Sequence, residues 1–209
     1  MTQDMASPSV PDLLASIART MRADEGQQIV HVEMLEGAAP QYAHPSPPLP
    51  EALQRCLPPL GVTQLYTHQV AALERVRSGA NVVVVTATSS GKTLCYNLPI
   101  IESILNDRAT RALYLYPTNA LVNDQLKSLF RINLGLGRDA FSVARYTGSL
   151  DTTQRKAVRE RNPNIVLTNP EMLHLSFLLW RDLWQELWSN LRYAVIDEIH
   201  TYRGVFGSN

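Results

Sequence analysis

The sequence predicts an α/β fold built on a mostly parallel sheet flanked by helices. From Gly61 onward, short apolar segments rich in Val, Ile, Leu and Tyr alternate with segments of helical character. The apolar segments are continuous runs, which is typical of parallel strands that are buried on both faces. Such strand–helix–strand units form right-handed crossovers in an open sheet, and these sheets bind ligands beyond the carboxyl ends of their strands.

The N-terminal region has a different character from the rest of the chain. Apolar residues at helical spacing predict a helix over Pro11–Met21, and a weak alternation over Gln28–Met34 indicates a short strand. Five prolines between Pro40 and Pro50 predict an extended linker, because proline fits neither a helix interior nor a central strand. A short helix is then predicted over Glu51–Cys56.

Residues 1–60 are therefore predicted to form a helical and irregular extension, and residues 61–209 the α/β domain. The apolar segments of the domain predict the strands Asn81–Thr86, Arg111–Tyr116, Phe141–Tyr146, Asn164–Thr168 and Leu191–Ile196. The segments between them predict the helices Thr67–Arg77, Gly91–Asn106, Asn119–Ile132, Thr152–Arg161, Pro170–Leu179 and Asp182–Trp188.

The composition limits the classes of function. The 209 residues carry a formal net charge of zero, so bulk charge does not predict a nucleic-acid partner. Cys56 and Cys95 form no Cys-x-x-Cys pattern and indicate neither a disulfide framework nor a zinc site. No signal peptide is visible, and no apolar run approaches the length of about 18 residues that a membrane span needs. We expect a cytoplasmic protein without a membrane partner.

The stretch VVVVTATSSGKT, from Val82 to Thr93, indicates a phosphate-binding loop. The pattern Gly-x-x-x-x-Gly-Lys-[Ser/Thr] needs a strand before it and a helix after it, and here Thr86 replaces the first glycine. Backbone N–H groups at a helix N-terminus attract phosphate, Lys92 adds a positive charge, and Thr93 offers a hydroxyl to Mg²⁺. The predicted nucleotide-binding residues of the loop are Thr88, Ser89, Ser90, Gly91, Lys92 and Thr93. The alternative is a Ser/Thr-rich helix cap with an exposed lysine.

Two acids, Asp197 and Glu198, end the last predicted strand in the stretch LRYAVIDEIH. An acid at the end of a buried strand is costly unless it binds something. Asp197 is suited to hold Mg²⁺ opposite Thr93, and Glu198 is suited to orient and deprotonate an attacking water. These acids and Lys92 are the predicted catalytic residues. The alternative is a pair of surface acids at a strand end.

Together these motifs resemble the first RecA-like domain of a superfamily 2 helicase. DEIH, residues 197–200, is a variant of the DEAD/DEAH box, and the resemblance implies that His200 couples the nucleotide and nucleic-acid sites. LYTHQ, Leu65–Gln69, resembles the Q motif, in which the amide of Gln69 would read the adenine edge. The fold implied is a RecA-like P-loop domain, and the cofactors implied are ATP and Mg²⁺.

Three further segments resemble the family's nucleic-acid motifs. YPTNALVNDQ resembles motif Ia, YTGS resembles motif Ib, and LTNPEML resembles motif Ic. All three follow predicted strand ends, so they would lie on one edge of the sheet and contact phosphates without reading sequence. The contacts implied by the resemblance are Pro117, Thr118, Asn119, Thr147, Gly148, Ser149, Thr168, Asn169 and Pro170.

Over roughly residues 50–209 the chain is most similar to YprA/MrfA-type DNA helicases, on DEIHTYRGVFGSN, LYTHQ and GKTLCYNLP. The resemblance implies ATP-driven translocation or unwinding of DNA, at a single strand or duplex junction, with a role in DNA repair. The alternatives are another class of P-loop NTPase and an inactive helicase fragment that only binds nucleotide or nucleic acid.

The same resemblance predicts that parts of the helicase are missing from this sequence. In the family, a motif III strand lies between the P-loop strand and the DEIH strand, and a second RecA-like domain supplies the arginine fingers. Neither follows Asn209, so we expect a domain that is incomplete at its C-terminus. The chain alone is expected to have weak ATPase activity at most, and no unwinding activity.

Overall fold

A computed structural model of the chain describes residues 12, 15–17, 19, 39–86 and 90–202. The chain divides into two compact units, Met1–Pro40 and Gln41–Asn209. In the first unit, the described residues up to residue 19 are helical, in agreement with the helix predicted over Pro11–Met21. The strand predicted over Gln28–Met34 lies outside the described residues.

The second unit alternates strands and helices. It begins with β1 (Tyr42–Ala43), α1 (Glu51–Cys56), a 3-10 turn (Pro58–Leu60), β2 (Leu65–Tyr66) and α2 (Thr67–Arg77). It continues with α3 (Lys92–Asn106), β3 (Arg111–Leu115), α4 (Asn119–Gly135), β4 (Val143–Arg145), α5 (Thr152–Arg161) and β5 (Ile165–Thr168). It is completed by α6 (Pro170–Met172), a π-helical turn (Leu173–Leu178), a 3-10 turn (Arg181–Trp184), α7 (Gln185–Asn190), β6 (Leu191–Ile196) and a 3-10 turn (Ile199–Thr201).

The four longer strands form a parallel sheet in the order β4-β5-β3-β6, which confirms the predicted fold class. The short strands β1 and β2 pair separately as an antiparallel ribbon. Successive residues of β3 face opposite sides of the sheet. Ala112 and Tyr114 pack into a core with α1 to α4, whereas Leu113 packs into a second core on the other face.

The second core explains why one predicted helix is irregular. Phe177 stacks on Trp184 with ring centroids 4.0 Å apart, and Tyr146 meets both rings edge-on. Met172 and Phe177 are both buried but lie five residues apart, a spacing that shares a face only where the helix widens to π geometry. The helix predicted over Pro170–Leu179 therefore continues from α6 as a π-helical turn.

The segment Asn81–Thr86, predicted to be the first strand, is not a strand in the structure. Val83 is 78% and Val85 89% exposed. A strand needs a hydrogen-bonding partner, and none of the described residues pairs with this segment. Among the described residues, β6 pairs only with β3, and Ile196 at the end of β6 is 49% exposed. The family resemblance implies a strand between the segment Asn81–Thr86 and β6. Such a strand would supply hydrogen-bonding partners to both.

The compact domain begins at Gln41, earlier than the boundary predicted between residues 60 and 61. Leu53 in α1 is fully buried in the main core, because α1 packs against α4. The guanidinium of Arg77 donates to the carbonyls of Pro47 and Pro48, and it bonds to Glu102 at 2.6 Å. The proline-rich stretch is thus bound to the domain and is not a free linker.

No helix in the described part of the chain has the length and apolarity that a bilayer crossing requires.

Candidate nucleotide site and nucleic-acid edge

The predicted phosphate-binding loop enters α3 at Gly91, whose φ of 75° lies in the left-handed region. The Thr86 hydroxyl lies 2.6 Å from the Ser90 hydroxyl, and the Lys92 ammonium donates to the Thr86 carbonyl at 3.0 Å. Thr86, which replaces the first glycine of the pattern, therefore contacts the far end of the loop through its hydroxyl and its carbonyl. The predicted contacts Thr88 and Ser89 lie outside the described residues.

Two side chains of α2 hold consecutive carbonyls of this loop. Nε2 of His68 donates to the Ser90 carbonyl at 2.9 Å, and Nε2 of Gln69 donates to the Gly91 carbonyl at 3.0 Å. Oε1 of Gln69 accepts the Tyr66 backbone N–H, and the side chain is only 2% exposed. The amide thus joins α2 to the loop, while its contact with adenine stays a prediction. Sequence reasoning missed His68, for which adjacency to Gln69 is the only signal.

The two predicted acids lie at the carboxyl end of β6. The Asp197 N–H donates to the Leu115 carbonyl, which extends the pairing of β6 with β3. Oδ1 of Asp197 accepts the Glu198 N–H at 2.9 Å. Glu198 has a φ of 51°, which is uncommon for a residue other than glycine and is typical of constrained sites. Oε2 of Glu198 lies 3.4 Å from Nδ1 of His200, so the three polar residues of the DEIH box lie together in one turn.

A half-buried phenol, that of Tyr202, lies beside the same acids. Burial, followed by the negative charges of Asp197 and Glu198, raises the pKa of Tyr202 to about 12. The Tyr202 hydroxyl is therefore protonated at neutral pH and is able to donate a hydrogen bond toward this turn.

Tyr96 connects the start of α3 to the end of β6. It follows Lys92 by four residues and therefore lies on the same face of the helix. Its hydroxyl donates to Oδ2 of Asp197 at 3.4 Å, and the Thr93 side chain lies beside it. Tyr96 thus links Asp197 to the first turn of α3, which contains Thr93; these are the two predicted metal-binding residues. Sequence reasoning missed Tyr96, although its spacing from Lys92 was an available signal.

Thr93 and Asp197 form a donor set that fits Mg²⁺. This ion typically takes one or two carboxylates and completes its octahedron with phosphate oxygens and waters. The described residues hold no group of three or more His, Cys, Asp or Glu side chains that could bind a metal without help. One hydroxyl and one carboxylate therefore suit a cation that arrives with a nucleotide, rather than a permanently bound metal.

The predicted nucleic-acid contacts follow three neighbouring strands. Those after β3 are Pro117, Thr118 and Asn119, and those after β4 are Thr147, Gly148 and Ser149. Those at the end of β5 are its last residue, Thr168, followed by Asn169 and Pro170. Because the strands are parallel, these segments share the edge on which Asp197 lies. Nδ2 of Asn169 donates to Oδ1 of Asn119 at 3.2 Å and joins two of them.

Two of these predicted contacts are buried. Thr168 is fully buried, and its hydroxyl donates to the Tyr146 carbonyl at 2.6 Å. Thr147 is 1% exposed, and its hydroxyl lies 2.9 Å from that of Ser149. Both hydroxyls are used inside the protein, so the two threonines shape the loops, whereas exposed neighbours such as Ser149 face the solvent. The contacts of these segments with nucleic acid stay predictions.

Arg155 adds a positive charge to this edge. The sequence pattern alone favours a solvated helix face for this residue, but in the structure its Nη2 donates to the Gly148 carbonyl at 3.0 Å. The next residue, Lys156, instead lies 3.6 Å from Glu160 on the same helix. The guanidinium is therefore directed back toward the strand ends, whereas the neighbouring ammonium is not.

Comparisons with known proteins agree with this geometry. The DEAD/DEAH box helicase family model matches residues 66–209. The chain belongs to this family. It is 47% identical over 166 residues to an uncharacterized ATP-dependent helicase, YprA, of Bacillus subtilis, covering 78% of this chain and 22% of that protein. It is 34% identical over 202 residues to the ATP-dependent helicase hrq1 of Schizosaccharomyces pombe, covering 95% of this chain and 19% of that protein.

Solved structures lead to the same family. The crystal structure of the DUF1998 helicase MrfA bound to DNA and AMPPNP matches with a TM-score of 0.83 at 39% identity, over 96% of this chain and 27% of that chain. The DEAD-box helicase Mss116, bound to ssRNA and UDP-BeF, matches with a TM-score of 0.68 at 19% identity, which supports the fold alone. The predicted RecA-like helicase fold is confirmed. The chain spans about a fifth of the length of the curated relatives it matches.

Proposed function

We propose that this chain is the ATP-binding part of an ATP-dependent DNA helicase. The observation that carries the proposal is the junction of α3 and β6, where the Tyr96 hydroxyl contacts both Thr93 and Asp197. Lys92 begins the same helix. A positive charge, a hydroxyl and a carboxylate therefore lie beyond the strand ends, and these are the groups that a nucleoside triphosphate with Mg²⁺ requires.

The role of each residue follows from its chemistry. The N–H groups at the start of α3 and the ammonium of Lys92 would bind the phosphates. Thr93 and Asp197 would hold Mg²⁺, which neutralises phosphate charge when it is bound. Glu198 would orient the attacking water and accept its proton. His200, in contact with Glu198, would couple this chemistry to the nucleic-acid edge.

The proposed polynucleotide partner is DNA. Exposed candidates, including Thr118, Asn119 and Ser149, lie on the same sheet edge as the nucleotide site, beside the guanidinium of Arg155. Contacts of this kind position a phosphate backbone without reading its sequence. DNA is favoured over RNA because the similar helicase MrfA was crystallised with DNA. Coupling of ATP hydrolysis to strand movement, and a role in DNA repair, remain predictions for the whole protein.

Thermal unfolding tests the nucleotide site. At a ligand concentration of 100 Kd, binding to the native state stabilises a protein by about 2.7 kcal/mol, which for a chain of this size corresponds to a rise in Tm of roughly 5–10 °C. We expect such a rise with Mg-ATP in calorimetry of the 209-residue chain. An unchanged Tm at saturating Mg-ATP would contradict the proposal. Vigorous turnover that does not depend on DNA would instead favour another class of P-loop NTPase.

Arg155→Ala is expected to weaken binding of single-stranded DNA several-fold. The variant removes a positive charge next to Gly148, so the slope of log K against log salt should become shallower by about 1. Fluorescence anisotropy of a labelled oligonucleotide over a salt series measures both quantities. Lys156→Ala is the matched control, because it removes an equal charge one residue away that pairs with Glu160. Equal losses in the two variants would show that only the net charge matters.

A further inference from the structure

Three phenolic side chains lie between α3 and β3, beneath the end of β6. Tyr96 belongs to α3, Tyr114 to β3, and Tyr116 directly follows β3. The Tyr96 and Tyr116 hydroxyls are 3.3 Å apart, and the Tyr96 hydroxyl reaches Oδ2 of Asp197 at 3.4 Å. The Tyr114 hydroxyl takes a different direction and donates to Oδ1 of Asn97 at 3.0 Å.

The direction of each hydrogen bond follows from the chemistry of the groups. A carboxylate only accepts hydrogen bonds, so the single proton of the Tyr96 hydroxyl goes to Asp197. The two lone pairs of the phenolic oxygen are then left to accept hydrogen bonds: the Tyr116 hydroxyl lies 3.3 Å away, and the Thr93 side chain lies beside the same oxygen.

This arrangement leaves the ligand atoms of the predicted metal site free to bind a cation. If the Thr93 hydroxyl donates its proton to Tyr96, its lone pairs remain available to a metal. Oδ1 of Asp197 is fixed by the Glu198 N–H and Oδ2 by Tyr96, so both oxygens have a defined orientation. Groups that orient metal ligands in this way contribute strongly to metal affinity.

We propose that Tyr96, supported by Tyr116, is a positioning residue that holds Thr93 and Asp197 at the spacing required for Mg²⁺. The inference rests on the proposed function, because it takes the cation to arrive with ATP. The Tyr96 hydroxyl bridges a residue at the start of α3 and a residue after β6, which belong to distant parts of the sequence. It therefore sets the distance between the phosphate-binding helix and the DEIH box.

The test is the Mg²⁺ dependence of nucleotide binding by the full chain. Affinity for a fluorescent ATP analogue is measured by titration over a series of Mg²⁺ concentrations and in EDTA. For Tyr96→Phe we expect the Mg²⁺ concentration at half-maximal enhancement to rise roughly tenfold, while affinity in EDTA stays at the native level. Tyr116→Phe should shift the Mg²⁺ dependence in the same direction by a smaller factor, because it removes only the donor to Tyr96.

Tyr114→Phe is the matched control, because it removes a buried phenolic hydroxyl that bonds Asn97 and not Asp197. Its Mg²⁺ dependence should equal that of the native chain. Native Mg²⁺ dependence in both Tyr96→Phe and Tyr116→Phe would overturn the positioning role, even if one variant is less stable. A shift of the same size in Tyr114→Phe would also overturn it, since the effect would then be general loosening. A native chain that binds no nucleotide would instead overturn the proposed function and this inference with it.

Discussion

Lys92→Ala is expected to remove the stabilisation of this chain by Mg-ATP. Lys92 starts α3, and in the structure its ammonium donates to the backbone carbonyl of Thr86 at 3.0 Å. A charge-assisted hydrogen bond to a phosphate contributes about 3 kcal/mol, so its loss should raise Kd roughly 100-fold. At the concentration of Mg-ATP that shifts the native Tm fully, the variant should then show only a small fraction of that shift.

Calorimetry of native and variant chains, with and without Mg-ATP, measures this effect. The control is Lys127→Ala, because Lys127 is exposed on α4 and pairs with Asp124 at 3.3 Å, away from the loop. The control should keep the full Mg-ATP shift, and both variants should have nearly native Tm values without nucleotide. If Lys92→Ala keeps the native shift, the loop does not bind phosphate through this residue, and the interpretation as a Ser/Thr-rich helix cap gains support.

The elements that the sequence predicted well carry local signals at their ends. The helix over Thr152–Arg161 is confirmed at both bounds: Asp151 and Gln154 form a reciprocal cap at its start, and Asn162 ends it in the left-handed conformation. Such signals depend on neighbours in the sequence. The prediction of a strand over Asn81–Thr86 was wrong because a strand depends on a distant partner. Four valines favour extended backbone, but they do not reveal whether a partner strand exists.

The site shows the same division between local and distant information. The positions of Lys92 and Asp197 at a helix start and a strand end follow from their flanking residues, and the structure agrees. The use of the Gln69 amide could not be predicted, because it bonds a carbonyl 22 residues away. The burial of Thr168 was likewise invisible, since it depends on packing under the loop that contains Tyr146. Contacts of this kind appear only when the elements are assembled.

Gly91→Ala is expected to be the most damaging small substitution in the loop. Alanine in the left-handed region costs about 1–2 kcal/mol. A Cβ on Gly91 would also lie 2.5 Å from Nε2 of Gln69. The Gln69 side chain has little freedom to retreat, because it is 2% exposed and both ends of its amide are hydrogen-bonded. Breaking those bonds in a buried place adds to the cost, for a total loss of about 3–5 kcal/mol in the free energy of unfolding.

Gly79→Ala separates the two contributions. Gly79 has a φ of 81°, but an added Cβ there would meet no atom within 4 Å. Gly79→Ala should therefore lose only the backbone cost of about 1–2 kcal/mol and keep its full stabilisation by Mg-ATP. Gly91→Ala should lose both stability and nucleotide binding, because the carbonyl of Gly91 is held by the side chain that the new methyl group displaces. Denaturant unfolding of both variants measures the difference.

A double-mutant cycle then tests whether Gln69 is the cause. Gln69→Ala alone removes the bonds to Gly91 and Tyr66, but it also removes the atom that the new methyl group would strike. The unfolding free energy of the double variant should therefore exceed the value expected from adding the two single losses, by about 1–3 kcal/mol. Additive losses would mean that the loop moves away from Gln69 without resistance. In that case α2 does not hold the phosphate-binding loop in place, and the Q-motif glutamine contributes through another contact.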